Sequence, residues 1–202
     1  MKNAILTILS FLIISIINGQ TGKPNGFVDY KEFQINQPSL ILEFQLKQRT
    51  DGDIFMTGGI SNYRFKKIKP QSDIEKVEYE IWGVKVGDTV YINSYPYSKI
   101  KGYNKIIEIG YYSYFIGEPA RTEKEQRELG IIKPNESQIA VCCKTGYVIL
   151  PDGSIKQLRP ELLLELCKDN GQIFKEIVAT DLRIEDVYQM FDFLKKYNAT
   201  KK

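Results

Sequence analysis

The groups in this 202-residue chain whose types could do chemistry are three cysteines, thirteen tyrosines and a few neighbouring carboxylates, and no histidine accompanies them. Histidine is the side chain that titrates near neutrality, the commonest metal ligand, and the usual base beside a Ser or Cys nucleophile. Its absence excludes Ser-His-Asp and Cys-His machinery, His-containing zinc sites and histidine-based pH sensing. Carboxylate chemistry stays open, because paired carboxylates can serve glycoside hydrolysis or contribute to a calcium site. The nearest such groupings are Asp51 with Asp53, and Glu78 with Glu80. The first is explained by a turn at Thr50-Asp51-Gly52-Asp53, and the second falls on the solvent face of an expected strand. No phosphate-binding glycine loop, nucleophile elbow or Ser-x-x-Lys motif is present. The sequence therefore leans away from an enzyme, and assigns no catalytic residue, metal or cofactor.

Residues 1–20, MKNAILTILSFLIISIINGQ, read as a secretory signal. Lys2 supplies the positive start, Ala4 to Ile17 the apolar stretch, and cleavage is expected near residues 19–20. The stretch is short for a spanning helix, which needs roughly 20 apolar residues, and nothing after Gln20 is hydrophobic enough to span a bilayer. The expected product is exported, to the periplasm or beyond, where disulfides can form. Cys143 shares a strand face with Ile139 and Val141, and Cys167 lies on the apolar face of a helix, so Cys143–Cys167 is the pairing considered. It would close a loop of about 25 residues, worth roughly 3–4 kcal/mol. Cys142–Cys167 and three small core thiols are the alternatives.

Seven of the thirteen tyrosines lie between Tyr91 and Tyr114, with Trp82 and Phe115 close by. Aromatic faces with a hydroxyl handle suit a sugar or a protein partner, although tyrosine is also a natural strand residue. Trp82, Tyr95 and Tyr97 are the binding candidates, because Tyr95-Pro96-Tyr97 reads as irregular and rigid loop aromatics are less easily explained by packing.

These groups must be positioned by a β-rich body. Leu40, Leu42, Phe44 and Leu46 alternate with polar residues over 39–49, and Tyr63 to Lys69 is a basic strand ending at Pro70. Between them, 54–57 is a further strand candidate. Val77, Tyr79 and Ile81 alternate over 75–86, and Gly87-Asp88 suits a two-residue hairpin into Thr89–Asn93. Further strands are expected at 105–110, 111–116, 138–144, 147–150 and 155–158. A charged surface excursion, 117–136, holds Arg121 to Glu128. Pro160 opens a helix that Gly171 should stop. A final amphipathic helix carries Ile184, Val187, Tyr188, Phe191, Leu194 and Tyr197 on one face, with Asp181 a possible cap. Strands over 27–158 followed by helices over 160–198 give an α+β class, an antiparallel β-rich body followed by C-terminal helices, in a single domain of residues 21–202. Lys and Arg number 28 against 25 Asp and Glu, and losing Lys2 leaves +2. That balance argues against a nucleic-acid binder. Asn135-Glu-Ser137 and Asn198-Ala-Thr200 match glycosylation sequons, a pattern that arises often by chance.

Gly26-Phe-Val-Asp-Tyr-Lys-Glu-Phe33 followed by Pro38, then Ile81-Trp-Gly-Val84, Thr89-Val-Tyr-Ile-Asn93 and Gly110-Tyr111, resemble exported Bacteroidota-type proteins that carry a domain of unknown function. The resemblance implies a Gram-negative envelope setting and transfers no catalytic residue. The expectation is a non-catalytic binding or scaffolding module whose partner is an envelope protein or glycan. A carboxylate-dependent hydrolase of envelope polysaccharide and an inhibitor or immunity-type protein are the alternatives.

Overall fold

The computed structural model describes residues 23–50, 63–69, 71–98, 101–117 and 145–201. The expected signal, the 54–57 and 138–144 strands, the charged run at 121–128, Asp51, Asp53, Cys142 and Cys143 all lie outside them. Within them, an antiparallel sheet runs in the order β1 (Gly26–Phe27), β4 (Gly83–Val86), β5 (Thr89–Asn93), β6 (Tyr103–Glu108), β7 (Ser113–Gly117), β8 (Thr145–Ile149) and β9 (Ile155–Gln157). A hairpin of β2 (Glu43–Gln48) and β3 (Tyr63–Lys69) joins it through one pairing, Tyr63 opposite Tyr103. Helices α3 (Pro160–Cys167), α4 (Gly171–Ala179) and α5 (Val187–Ala199) follow, so the α+β class holds.

Alternation of side chains along the strands divides the interior into three cores. On the inner face of the curled sheet, Phe27, Val90, Ile92, Ile106, Phe115, Tyr147 and Ile149 meet Phe33 of α1 (Tyr30–Gln34). On the outer face of β7 and β8, Tyr112, Tyr114 and Val148 pack against the three C-terminal helices. On the outer face of β4 to β6, Val84 and Tyr103 are covered by the β2–β3 hairpin and by a helical segment before β4. The expected final helix therefore packs on its own sheet.

That helical segment corrects the expectation of one strand over 75–86. Gln71–Asp73 forms a 3-10 turn and Lys76–Glu80 a π-helical turn, and only Gly83–Val86 is strand. Val77 and Ile81 are two apart twice over, which mimics a strand, but they are also four apart, which is one face of a helix. Both are buried. The segment is pinned by Asn93, whose side chain donates to the Ile81 carbonyl at 2.9 Å, and by the Tyr103 hydroxyl, which donates to the Val77 carbonyl. The hairpin beyond it forms as read, with Val86 opposite Thr89 and Gly87 at φ +58°.

Other corrections concern helix ends. Asp29 accepts from the Glu32 N–H at 2.9 Å while Glu32 accepts from the Val28 N–H at 2.8 Å, a reciprocal cap that starts α1. Gly171 stops nothing: Asn170 accepts from the Ile173 N–H, and Gly171 is the first residue of α4. Helix α5 begins after Asp186, not Asp181. Tyr95–Ser98, read as irregular, forms a single helical turn (α2), closed by the Ser98 N–H donating to the Ser94 carbonyl.

Candidate functional site

The inner face of the curled sheet gathers aromatic rings. Phe33 arrives on α1 and stacks on Trp82 with ring centres 4.3 Å apart and planes at 24°. Phe27 meets both rings edge-on. Across the curl, Phe115 and Tyr147 stack at 5.4 Å, opposite one another on β7 and β8, and Tyr97 lies against both. The Tyr97 hydroxyl accepts from the Asn104 amide at 2.8 Å and reaches the Ser94 hydroxyl at 3.3 Å. Trp82 and Tyr97 are thus both partly buried against this one cluster, on its two sides. Tyr95 does not join them. Its ring meets Tyr79 of the π-helical turn edge-on at 4.7 Å.

Two polar atoms of this face stand out. Among the described residues, the Trp82 indole N–H and the Gln157 side-chain oxygen are the buried side-chain atoms left without a hydrogen-bond partner. Gln157 lies opposite Tyr147 across β8 and β9, so it faces the same side. A buried donor and a buried acceptor left unpaired are costly in a folded chain and call for an explanation.

At the rim of the cluster a groove of about 370 Å³ opens between α1, the β6–β7 turn and the β8–β9 turn. Tyr30, Phe33, Gln34, Ile109, Tyr111 and Ser113 supply its side chains. Ile109 is 57% exposed and Tyr111 48%, and the two stand side by side on the β6–β7 turn. Gln34 donates to the Pro151 carbonyl at 3.1 Å and ties α1 to the β8–β9 turn. Burial pushes the Tyr30 hydroxyl above its ordinary range, so it stays a neutral donor at physiological pH.

The β6–β7 turn is held from behind by Asn198 of α5. The Asn198 amide accepts from the Tyr112 N–H at 2.9 Å and donates to the Tyr112 carbonyl at 2.9 Å and to Glu108 at 3.2 Å. The other oxygen of Glu108 accepts from the Tyr114 hydroxyl at 2.8 Å, and burial with this bond raises the Tyr114 hydroxyl. Gly110 allows the approach, since a Cβ there would lie 2.5 Å from the Asn198 nitrogen. Asn198 is 5% exposed and its amide is fully used, which leaves the second sequon without an accessible acceptor. Asp169 accepts from the Tyr197 hydroxyl and from Lys201, both at 2.7 Å, and the Lys201 ammonium lies near the Tyr111 and Tyr197 rings.

The acids have structural work. Glu78, expected on a strand, sits on the π-helical turn and pairs with Lys101 at 2.7 Å. Asp152 closes the β8–β9 turn through Ser154, whose hydroxyl and N–H hold its carboxyl below the ordinary range. Glu176 pairs with Lys196. No group of three or more acidic or thiol side chains able to hold a metal ion occurs among the described residues. Cys167 is a free thiol, fully buried in the core beneath the helices, and burial pushes it up to about 12. Its considered partner, Cys143, lies outside the described residues.

Sequence reasoning named Trp82, Tyr95 and Tyr97, none of which lines the groove. Tyr30, Gln34 and Pro151 meet Ile109 and Tyr111 only through the topology. The one local signal was the Asp29-x-x-Glu32 cap, which places Tyr30, Phe33 and Gln34 on a helix.

No helix of the described residues is long and apolar enough to cross a membrane. Neither a curated protein nor a solved structure matches the chain significantly. A family model does match, over residues 25–201, and so takes in the curled sheet, the groove and the three helices: the chain belongs to a family of unknown function, DUF6563.

Proposed function

We propose that the protein is a non-catalytic binding module of the cell envelope, which takes its ligand in the groove between α1 and the β6–β7 turn, at the rim of the aromatic cluster that holds Trp82 and Tyr97. The observation that carries this reading is the exposure of Ile109 and Tyr111 beside Tyr30 and Phe33 in a groove that also offers an amide and a hydroxyl. Ring faces beside a few polar groups suit the apolar faces and hydroxyls of a sugar, so an envelope glycan is the ligand class. Residues 1–20, with their charged start and apolar stretch, support export to such a setting, and the resemblance to Bacteroidota-type envelope proteins agrees with it.

A carboxylate-dependent hydrolase has less support, because Glu78, Asp152, Asp169 and Glu176 are each engaged by a lysine, a tyrosine or a turn. An inhibitor or immunity-type protein has one observation in its favour, since an exposed isoleucine and tyrosine are also good anchors for a protein partner. The test is capture of isolated envelope polysaccharide and of envelope proteins by the wild type and by an Ile109→Ser, Tyr111→Ala variant. Polysaccharide retained by the wild type and lost by the variant supports the proposal. Equal retention by both removes the groove, and retention of one protein partner alone favours the inhibitor reading.

A further inference from the structure

A second site lies on the other side of the molecule, where the β2–β3 hairpin covers the outer core. Strand β3 reads Tyr63-Arg-Phe-Lys-Lys-Ile-Lys69, four cations in seven residues with no acid. In a regular strand Phe65 and Ile68 would point to opposite faces. Here Glu43 pairs with Lys69 and Gln45 with Lys66, so Lys67 and Ile68 together oppose Phe44. This is a bulge, and Lys67 enters it at φ +53°. The extra residue lets Phe65 and Ile68 both pack on the outer core, while Arg64, Lys66 and Lys67 are left exposed. A lysine in the left-handed region is strained, and such strain persists where the surroundings hold it and often marks a functional place.

Beside the bulge is a cleft of about 400 Å³ lined by Arg64, Phe65, Lys66, Glu78, Lys101 and Tyr103. Its one carboxylate, Glu78, is already held by Lys101 at 2.7 Å. Arg64 and Lys66 have no ion-pair partner among the described residues. Two apart on one strand, they stand roughly 6.6 Å from each other, which is the spacing to grip one oxyanion from both sides. Lys47, directly opposite Arg64 on β2, adds a third cation to that face, although like charges placed opposite one another weaken a sheet. The planar fork of an arginine beside the point charge of a lysine is the usual recognition chemistry of a phosphate.

The geometry points to this cleft as a phosphate-binding site, in which Arg64 and Lys66 hold the phosphoryl group of a small ligand such as a sugar phosphate. The site is independent of the aromatic groove, and neither reading depends on the other.

The test is calorimetric titration of the protein with a hexose 1-phosphate at low ionic strength, with vesicles of phosphatidylcholine and phosphatidylglycerol as a second arm. Saturable binding of the sugar phosphate is expected, weakened about tenfold or more by Arg64→Gln and by Lys66→Gln, each of which removes one charge-assisted contact. Lys156→Gln with Lys168→Gln removes two charges elsewhere, one more than either cleft variant, and should leave binding unchanged. Both cleft positions are exposed, so the variants should keep the wild-type circular dichroism; if the arginine variant unfolds, Lys66→Gln alone decides. Equal weakening by the distant pair, or no weakening by the cleft variants, overturns the inference. Binding to the vesicles without binding of the free phosphate overturns it too, because the flat basic face would then be acting and not the cleft.

Discussion

Removing the Asn198 amide should expose how firmly the β6–β7 turn is fixed. The Tyr112 N–H and carbonyl both depend on it, each at 2.9 Å, and Tyr112 is 8% exposed. Asn198→Ala leaves both backbone groups without a partner, at about 1–3 kcal/mol each, so the loss is roughly 2–6 kcal/mol. For a chain of this size, at about 2–4 °C per kcal/mol, that is a fall of roughly 4–24 °C in Tm. Gly110→Ala should reproduce much of it, because the added Cβ lies 2.5 Å from the Asn198 nitrogen and 2.8 Å from its Cγ and must displace the amide. In the Asn198→Ala background that obstacle is gone, so the same glycine change should cost little. The two substitutions are then strongly non-additive, with a coupling above about 1 kcal/mol. Urea unfolding of the four proteins, with the slope checked for constancy, measures it. Additive losses, or an Asn198→Ala variant within about 0.5 kcal/mol of the wild type, would refute the reasoning that one amide holds the turn.

The remaining predictions use other parts of the structure. Lys67→Gly relieves the positive φ at the β3 bulge and should raise stability by about 1 kcal/mol in chemical denaturation; a loss of stability would show that the backbone there is unstrained. The Asp169 carboxyl is held below its ordinary range, first by Lys201 and then by Tyr197. Its contribution is therefore present above the ordinary carboxylate pKa and is lost as pH falls through the lowered value. Asp169→Asn should lower Tm at neutral pH, with the gap to the wild type closing in acid; a gap independent of pH contradicts this. Cys167 is buried and its thiol is pushed up to about 12, so a thiol reagent should leave it unlabelled in the native protein and modify it after denaturation under reducing conditions. Rapid native labelling would contradict the packing of α3.

Much of the sheet was legible because its period is simple. Leu42, just before β2, and Phe44 and Leu46 along it turn inward as their alternation requires, and Gly87-Asp88 makes the hairpin that positive φ permits. The alternation failed at 76–80, where Val77, Tyr79 and Ile81 satisfy both a strand and a helical turn. Long-range contacts from Asn93 and Tyr103 decide between the two. Gly171 misled because glycine is common just beyond a helix end, while the cap that matters was Asn170, one residue earlier. The candidate site was half visible. Trp82 and Tyr97 do come to one face, but Tyr95 is taken by Tyr79. The groove needed residues 30–34, 109–113 and 151 to meet, and no local pattern encodes a meeting of three turns.

Trp82 is the sole tryptophan of the chain and stacks on Phe33, a residue of the groove wall. Its fluorescence is therefore a direct reporter of the proposed site. Titration with isolated envelope oligosaccharides should give a saturable change in the wild type that disappears in the folded Ile109→Ser, Tyr111→Ala variant. No change in the wild type, or the same change in both proteins, would contradict the claim that this groove is where the protein binds.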